Sequence, residues 1–222
     1  MGQVLLVRHG QASFGAADYD VLSETGWAQG RLLGAALAAQ GVTPSAVVRG
    51  DMRRHRETAE AIAEGAGWSG LPTTVDAGWD EFDHVGLVAA HRGDAPGELD
   101  RRAFQELFER ATARWTAGED DGFPESYAAF VARVRGSLAA AAEDAGPGRT
   151  VVVVSSGGTI AVVVAALVAP EGDPAALAQL WGRFNTVTVN SSLTRVMVGS
   201  TGPRLLTFNE HAHLPADLLT YR

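Results

Sequence analysis

The first apolar run of the chain, Val4-Leu5-Leu6-Val7, ends directly in Arg8-His9-Gly10. A histidine offers a nucleophilic or basic nitrogen, an arginine a rigid fork of donors for an anion, and a glycine lets the backbone approach a ligand closely. A second apolar run, residues 151–154, ends in Ser155-Ser156-Gly157-Gly158, and a helix opened there favours an anion at its amino terminus. Between the two lie a basic run, Arg53 to Arg56, and an acidic, aromatic loop, Gly78-Trp79-Asp80-Glu81-Phe82-Asp83-His84. Taken alone, the basic run is a solvated helix face and the loop carboxylates are solvated too. Ser156 lacks the glycine two residues earlier that a serine-hydrolase elbow requires, so an acyl-transfer triad is not expected. His55, His84 and His91 have no metal-ligand spacing, and the pattern places them as surface or packing residues with no metal. Gln11 and Ser13 stand where a substrate would pass.

The elements that must position these groups follow from hydrophobic patterning. The continuous aliphatic run at 4–7 predicts a parallel-sheet strand covered on both faces, and ligands of open α/β sheets gather just beyond such strand ends. A polar loop at 11–21 leads into a helix with Ser23 as its N-cap, running to Gly41. A short strand at 46–48, a charged helix from Asp51 to the glycines at 65 and 67, and a strand at 73–75 follow. Residues from 97 to about 144 show no strand pattern and read as an inserted or capping pair of helices, 99–116 and 126–142, around the polar loop 118–122. The chain then returns to sheet at 151–154, to an alanine- and valine-rich helix stopped by Pro170, to a short helix at 175–181, and to strands at 193–198 and 205–208. The pattern predicts one α/β domain over residues 1–222, a three-layer helix–sheet–helix sandwich with a mostly parallel central sheet and a helical insertion.

Composition narrows the function. The net charge of −8 argues against nucleic acid as a partner, and the longest apolar run, 160–169, is too short to span a membrane. The absence of cysteine fits a reducing, cytoplasmic compartment. All 18 basic residues are arginine, so an anion site here uses guanidinium forks. A homodimer is compatible with such a domain, but no interface is legible.

Assembled in order, these segments resemble the histidine phosphatase superfamily, also called phosphoglycerate mutase-like. The resemblance rests on VRHGQAS at 7–13 with LSETGWAQGRLLG at 22–34, GDMRRHRETAEAIA at 50–63, the acidic loop, VVVVSSGGTIA at 151–161, and VNSSLTRV at 189–196 with FNEHAHL at 208–214. It implies a reaction without cofactor or metal on a small anionic phosphorylated substrate. His9 would be the nucleophile that forms a phosphohistidine, Arg8 and Arg54 would hold the non-bridging oxygens, and Glu81 would protonate the leaving oxygen. Gly50, Thr58 and Ala59 fall on the family's spacing around Arg54.

One position departs from the family. The resemblance implies a second histidine between the serine and the paired glycines, where this chain has Ser156. Ser156 and Gly157 can still bind phosphate, but a serine donates a hydrogen bond without charge and its shorter reach leaves room for a water. Loss of one charge-assisted donor costs roughly 1.5–3 kcal/mol, one to two decades in rate. Restoring the ring with Ser156→His is then expected to raise activity. Whether His211 or His213 replaces the missing ring stays open. Three functions follow: a metal-independent phosphomonoesterase, a phosphoglycerate mutase, and a pseudoenzyme that binds phosphorylated ligands. The absence of lysine and the short loop after Gln11 rank the mutase below the phosphatase.

Overall fold

A computed structural model describes residues 1–13, 20–92, 100–119 and 122–221, with only the backbone of residue 101. Among these residues six strands form one sheet: β1 (Gly2–Arg8), β2 (Ala46–Arg49), β3 (Thr73–Val75), β4 (Thr150–Ser155), β5 (Leu193–Gly199) and β6 (Gly202–Glu210). Their order is β3-β2-β4-β1-β5-β6. The pairs β1–β4, β2–β4 and β2–β3 are parallel, whereas β5 and β6 close the far edge antiparallel. Seven helices flank the sheet in the described residues: α1 (Glu24–Ala39), α2 (Arg53–Ala66), α3 (His84–Arg92), α4 (Arg101–Thr116), α5 (Tyr127–Asp144), α6 (Gly157–Val168) and α7 (Pro174–Asn185). None is long and apolar enough to cross a membrane.

Strand alternation divides the core into two layers. Leu5, Val7, Val152 and Val154 face Leu33 and Leu37 of α1 and Ile62 of α2. Val4, Leu6, Val151 and Val153 face the other way, against Phe82, Trp115, Phe130, Ile160 and Trp181. There the rings of Phe82 and Trp115 stack at 4.9 Å, and Trp181 meets Phe82 edge-on at 5.7 Å. Burying each such ring contributes about 2–3 kcal/mol, so the loop carrying Glu81 is anchored by its own neighbours Trp79 and Phe82.

The expected Ser23 cap is present, its hydroxyl accepting from Gly26 N–H at 3.1 Å. The acidic loop is shorter than its composition predicts, because α3 begins at His84. Asp83 starts that helix by accepting from Gly86 N–H at 2.8 Å, the ordinary chemistry of an N-cap aspartate. The last strand is also longer, reaching Glu210 through the first residues of the expected tail. The expected helix start at residue 99, the insertion start at 97, and parts of the loops at 11–21 and 118–122 lie outside the described residues.

Candidate active site

Parallel pairing of β1 with β4 sets Arg8 opposite Ser155, so His9 and Ser156 leave neighbouring strands at the same sheet edge. His9 N–H donates to the Ser155 carbonyl at 2.8 Å, and the His9 carbonyl accepts from Ser191 N–H at 3.2 Å and from the Asn190 amide at 3.2 Å. Gly10 continues the clamp by donating to Thr58 Oγ1 at 3.0 Å, whose hydroxyl donates to the Arg54 carbonyl at 2.7 Å. Gly10 must be glycine, since a Cβ there would overlap the backbone of Gly26. The turn after β1 is therefore fixed from α1, α2 and the segment before β5.

The His9 ring is buried, and its Nδ1 lies 2.7 Å from the Gly10 carbonyl oxygen. A carbonyl only accepts, so Nδ1 carries the proton and Nε2 keeps its lone pair. Burial, then the charges of Arg54 and Arg8 and the nearby His55, hold the ring well below the ordinary histidine range. The result is a neutral imidazole with one available nitrogen.

The two arginines approach from different elements. Arg8 Nη1 donates to the carbonyls of Thr188 and, at 3.1 Å, Tyr221. Arg54 projects from the first turn of α2 and is almost wholly buried. Its Nη1 donates to Asp20 Oδ1 at 2.7 Å, while the other Asp20 oxygen accepts from Arg53 N–H at 2.7 Å. Arg54 Nε is buried with no hydrogen-bond partner among the described residues. An unsatisfied guanidinium donor in a buried site is a cost that an anion relieves.

Glu81 hangs over the amino terminus of α6. Its Oε2 accepts from Gly158 N–H at 3.0 Å and its Oε1 from Phe82 N–H at 3.2 Å. The loop beneath it is tied down three times. Ser155 Oγ donates to the Trp79 carbonyl at 2.6 Å, Thr159 Oγ1 to the Asp80 carbonyl at 3.0 Å, and Arg133 of α5 to the Gly78 and Asp80 carbonyls at 3.0 and 2.8 Å. A Cβ at Gly158 would overlap Glu81 Oε1, so the bare glycine leaves the carboxylate its place. Gly158→Ala should therefore push Glu81 away and lower kcat by about tenfold or more at little cost in melting temperature, which steady-state kinetics beside a thermal melt will check.

Ser156 is fully buried at the N-cap of α6, yet its side chain makes no capping bond to that helix. Its Oγ lies 2.7 Å from Nε2 of His55. Of the two places expected for His55, surface or packing, the structure gives the second: the ring is wholly buried, with its centroid 5.8 Å from that of His9. Its ring therefore stands directly against the serine hydroxyl, beside which room for a water was expected. His211 Nδ1 instead donates to the Asn209 carbonyl at 2.6 Å, and among the described residues the hydroxyl of Ser156 is met by His55 and by neither His211 nor His213. The missed signal was periodicity, because His55, Thr58 and Ile62 share one helical face, and all three are buried. Gly157 lies beside Arg8, its ideal Cβ position 3.4 Å from Arg8 Nε. Gln11 is turned toward α1, its Oε1 accepting from Ser23 Oγ at 3.0 Å, and Ser13 N–H donates to the Val21 carbonyl at 2.7 Å. Among the described residues no group of acidic residues and histidines is placed to hold a metal ion.

Burial lowers the proton affinity of His9, His55, His84 and His213 alike. A group whose folded affinity is depressed contributes stability above its unfolded pKa, about 6.5 for histidine, and loses it as pH falls below that value. The melting temperature should drop between pH 7.5 and pH 5, with His55→Gln flattening part of the fall; differential scanning fluorimetry across that window checks it.

This sheet order sets an arginine and a histidine at the end of a central strand and a carboxylate over the amino terminus of a glycine-opened helix. The chain belongs to the histidine phosphatase superfamily (branch 1), whose family model matches residues 4–211. No curated relative matches the chain. Among solved structures it is similar to a mycobacterial glucosyl-3-phosphoglycerate phosphatase, at 26% identity and a TM-score of 0.65 over 96% of this chain and 100% of that one. It shares its fold with a phosphoserine phosphatase variant from Entamoeba histolytica bound to phosphoserine, at 20% identity and a TM-score of 0.68 over 97% and 100% of the two chains. YhfR of Bacillus stearothermophilus gives 20% identity and a TM-score of 0.70 over 95% and 98%.

Proposed function

We propose that the protein is a metal-independent phosphomonoesterase that hydrolyses a small phosphorylated metabolite through a phosphohistidine on His9. The observation that carries this reading is the neutral, buried His9 ring, whose Nδ1–H is spent on Gly10 and whose Nε2 is left to attack, with the guanidinium groups of Arg8 and Arg54 close enough to depress its protonation. Phosphoryl transfer asks little of a protein beyond positioning and charge neutralisation, and these three side chains supply both.

In the first half-reaction Nε2 bonds to phosphorus, the bond from phosphorus to the substrate oxygen breaks, and Glu81 gives its proton to that oxygen. In the second, water attacks phosphorus, the phosphorus–nitrogen bond breaks, and Glu81 takes the proton from water. Arg8, Arg54, Ser156 and the amino terminus of α6 at Gly157 hold the non-bridging oxygens throughout. Displacing the carboxylate of Asp20 from Arg54, or sharing the guanidinium with it, is part of substrate entry.

The similarity to a phosphatase that acts on a glucosyl-phosphoglycerate supports a small phosphorylated metabolite as the substrate class. The test is release of inorganic phosphate from p-nitrophenyl phosphate and a panel of phosphomonoesters in excess EDTA. Turnover unaffected by chelator is expected. Phosphate binding without turnover would make the protein a binding module, and bisphosphoglycerate-dependent isomerisation of 3-phosphoglycerate would make it a mutase.

A further inference from the structure

The 2.7 Å contact between His55 and Ser156 is built, not incidental. Gly50 makes the space for it, since a Cβ there would overlap both His55 Nδ1 and the Asp80 carboxylate. Asp80 is held behind the ring, accepting from Asp51 N–H at 2.7 Å, with its Oδ1 3.6 Å from His55 Nδ1. On the opposite side of the ring, the Ser156 hydroxyl forgoes its usual task of capping its own helix. Asp80, His55 and Ser156 form a row that ends at the sheet edge beside His9.

We infer that His55 is the imidazole of the phosphoryl site, supplied from α2 and acting through Ser156. This rests on the phosphatase reading above. With the ring neutral, Nδ1–H faces the Asp80 carboxylate and Nε2 accepts the Ser156 proton. When a phosphoryl dianion occupies the site, His55 takes a proton from solvent or from a monoanionic substrate. Its Nε2–H then donates to Ser156 Oγ, and the hydroxyl turns its own proton to a phosphoryl oxygen. No bond to phosphorus forms or breaks at either residue, so His55 is a positioning residue and Ser156 the group that touches substrate. The groups facing the ring are Arg54 on its own helix, Asp80 and Glu81 from the loop after β3, and His9 from the turn after β1. Burial opposes its protonation most, Arg54 opposes it as well and the two carboxylates favour it, so the arriving dianion supplies the charge that draws a proton onto the ring.

Sharing one relay makes the residues non-additive. With p-nitrophenyl phosphate, His55→Gln and Ser156→Ala should each lower kcat/KM by about 10- to 100-fold, and the double variant should fall no further than about threefold below either. The pH profile of inhibition by orthovanadate should lose one titrating group in His55→Gln. Ser156→His alone should lower activity, because His55 already occupies that space, which reverses the expectation from sequence. In His55→Ala/Ser156→His the ring returns from the strand side, and activity should recover at least tenfold over His55→Ala.

Full activity in His55→Gln, independent losses that multiply, or absence of rescue in a double variant that melts like wild type would each overturn the inference. If His55→Ala does not fold, the isosteric His55→Gln carries the test alone. Wild-type protein without turnover would overturn the phosphatase reading instead, and His55 is then judged by calorimetric binding of inorganic phosphate, weakened about tenfold in His55→Gln if the relay holds and unchanged if it does not.

Discussion

Replacing His9 by alanine is expected to lower kcat for p-nitrophenyl phosphate by about 10⁴-fold or more, as removal of a nucleophile does elsewhere, while the folded state survives. Among the described residues the ring hydrogen-bonds only to the adjacent Gly10 carbonyl, and the turn itself is held by bonds from its backbone to Ser155, Ser191 and Thr58 that alanine keeps. Circular dichroism of the variant should match wild type. Binding of inorganic phosphate should persist, because Arg8, Arg54 and Ser156 are untouched. A variant that retains a tenth of the activity would show that another group attacks phosphorus.

Glu81→Gln is the second large effect, and its size should depend on the leaving group. The amide keeps the length of the side chain and one oxygen to accept from Gly158 N–H, so the loop fixed by Ser155, Thr159 and Arg133 stays in place. What is lost is the proton. An alkyl phosphate, whose alkoxide leaves poorly, should slow by about 10²–10⁴-fold, the usual contribution of a general acid. p-Nitrophenyl phosphate, whose phenolate departs without help, should slow far less in the first step. Equal losses on both substrates would point to displacement of the loop or to Asp80 or Asp83 as the acid. Gly158→Ala should reproduce the leaving-group dependence in weaker form.

The parts of this site that could be read from the chain are those governed by pattern. β1 and β4 were legible because strands covered on both faces are uniformly aliphatic, and α1 because Ser23 and an apolar face announce it. Parallel neighbours then bring His9 and Ser156 to one edge with no further information. α3 was not legible because its sequence, His84-Val85-Gly86-Leu87-Val88, follows an acidic aromatic loop, and the cap that starts it is an aspartate with several equivalent neighbours. His55 was missed for a related reason. In a run of arginines a histidine reads as part of a solvated face, and only the helical phase shared with Thr58 and Ile62 turns it inward. Its partner Asp80 could not be separated from Glu81 and Asp83 without knowing which carboxylate lies over Gly50 and which over Gly158. The sequence pattern placed His9 at the end of a strand, whereas the hydrogen bonds that orient it depend on contacts between elements far apart in the chain.

A covalent intermediate on His9 is trapped by rapid acid-free quenching of the enzyme with a ³²P-labelled phosphomonoester. Labelled protein is expected in the first turnover, with the label stable to alkali, released by acid, mapped to the peptide carrying His9, and absent in His9→Ala. Turnover with no trapped label, or an acid-stable label on Ser156, would contradict it.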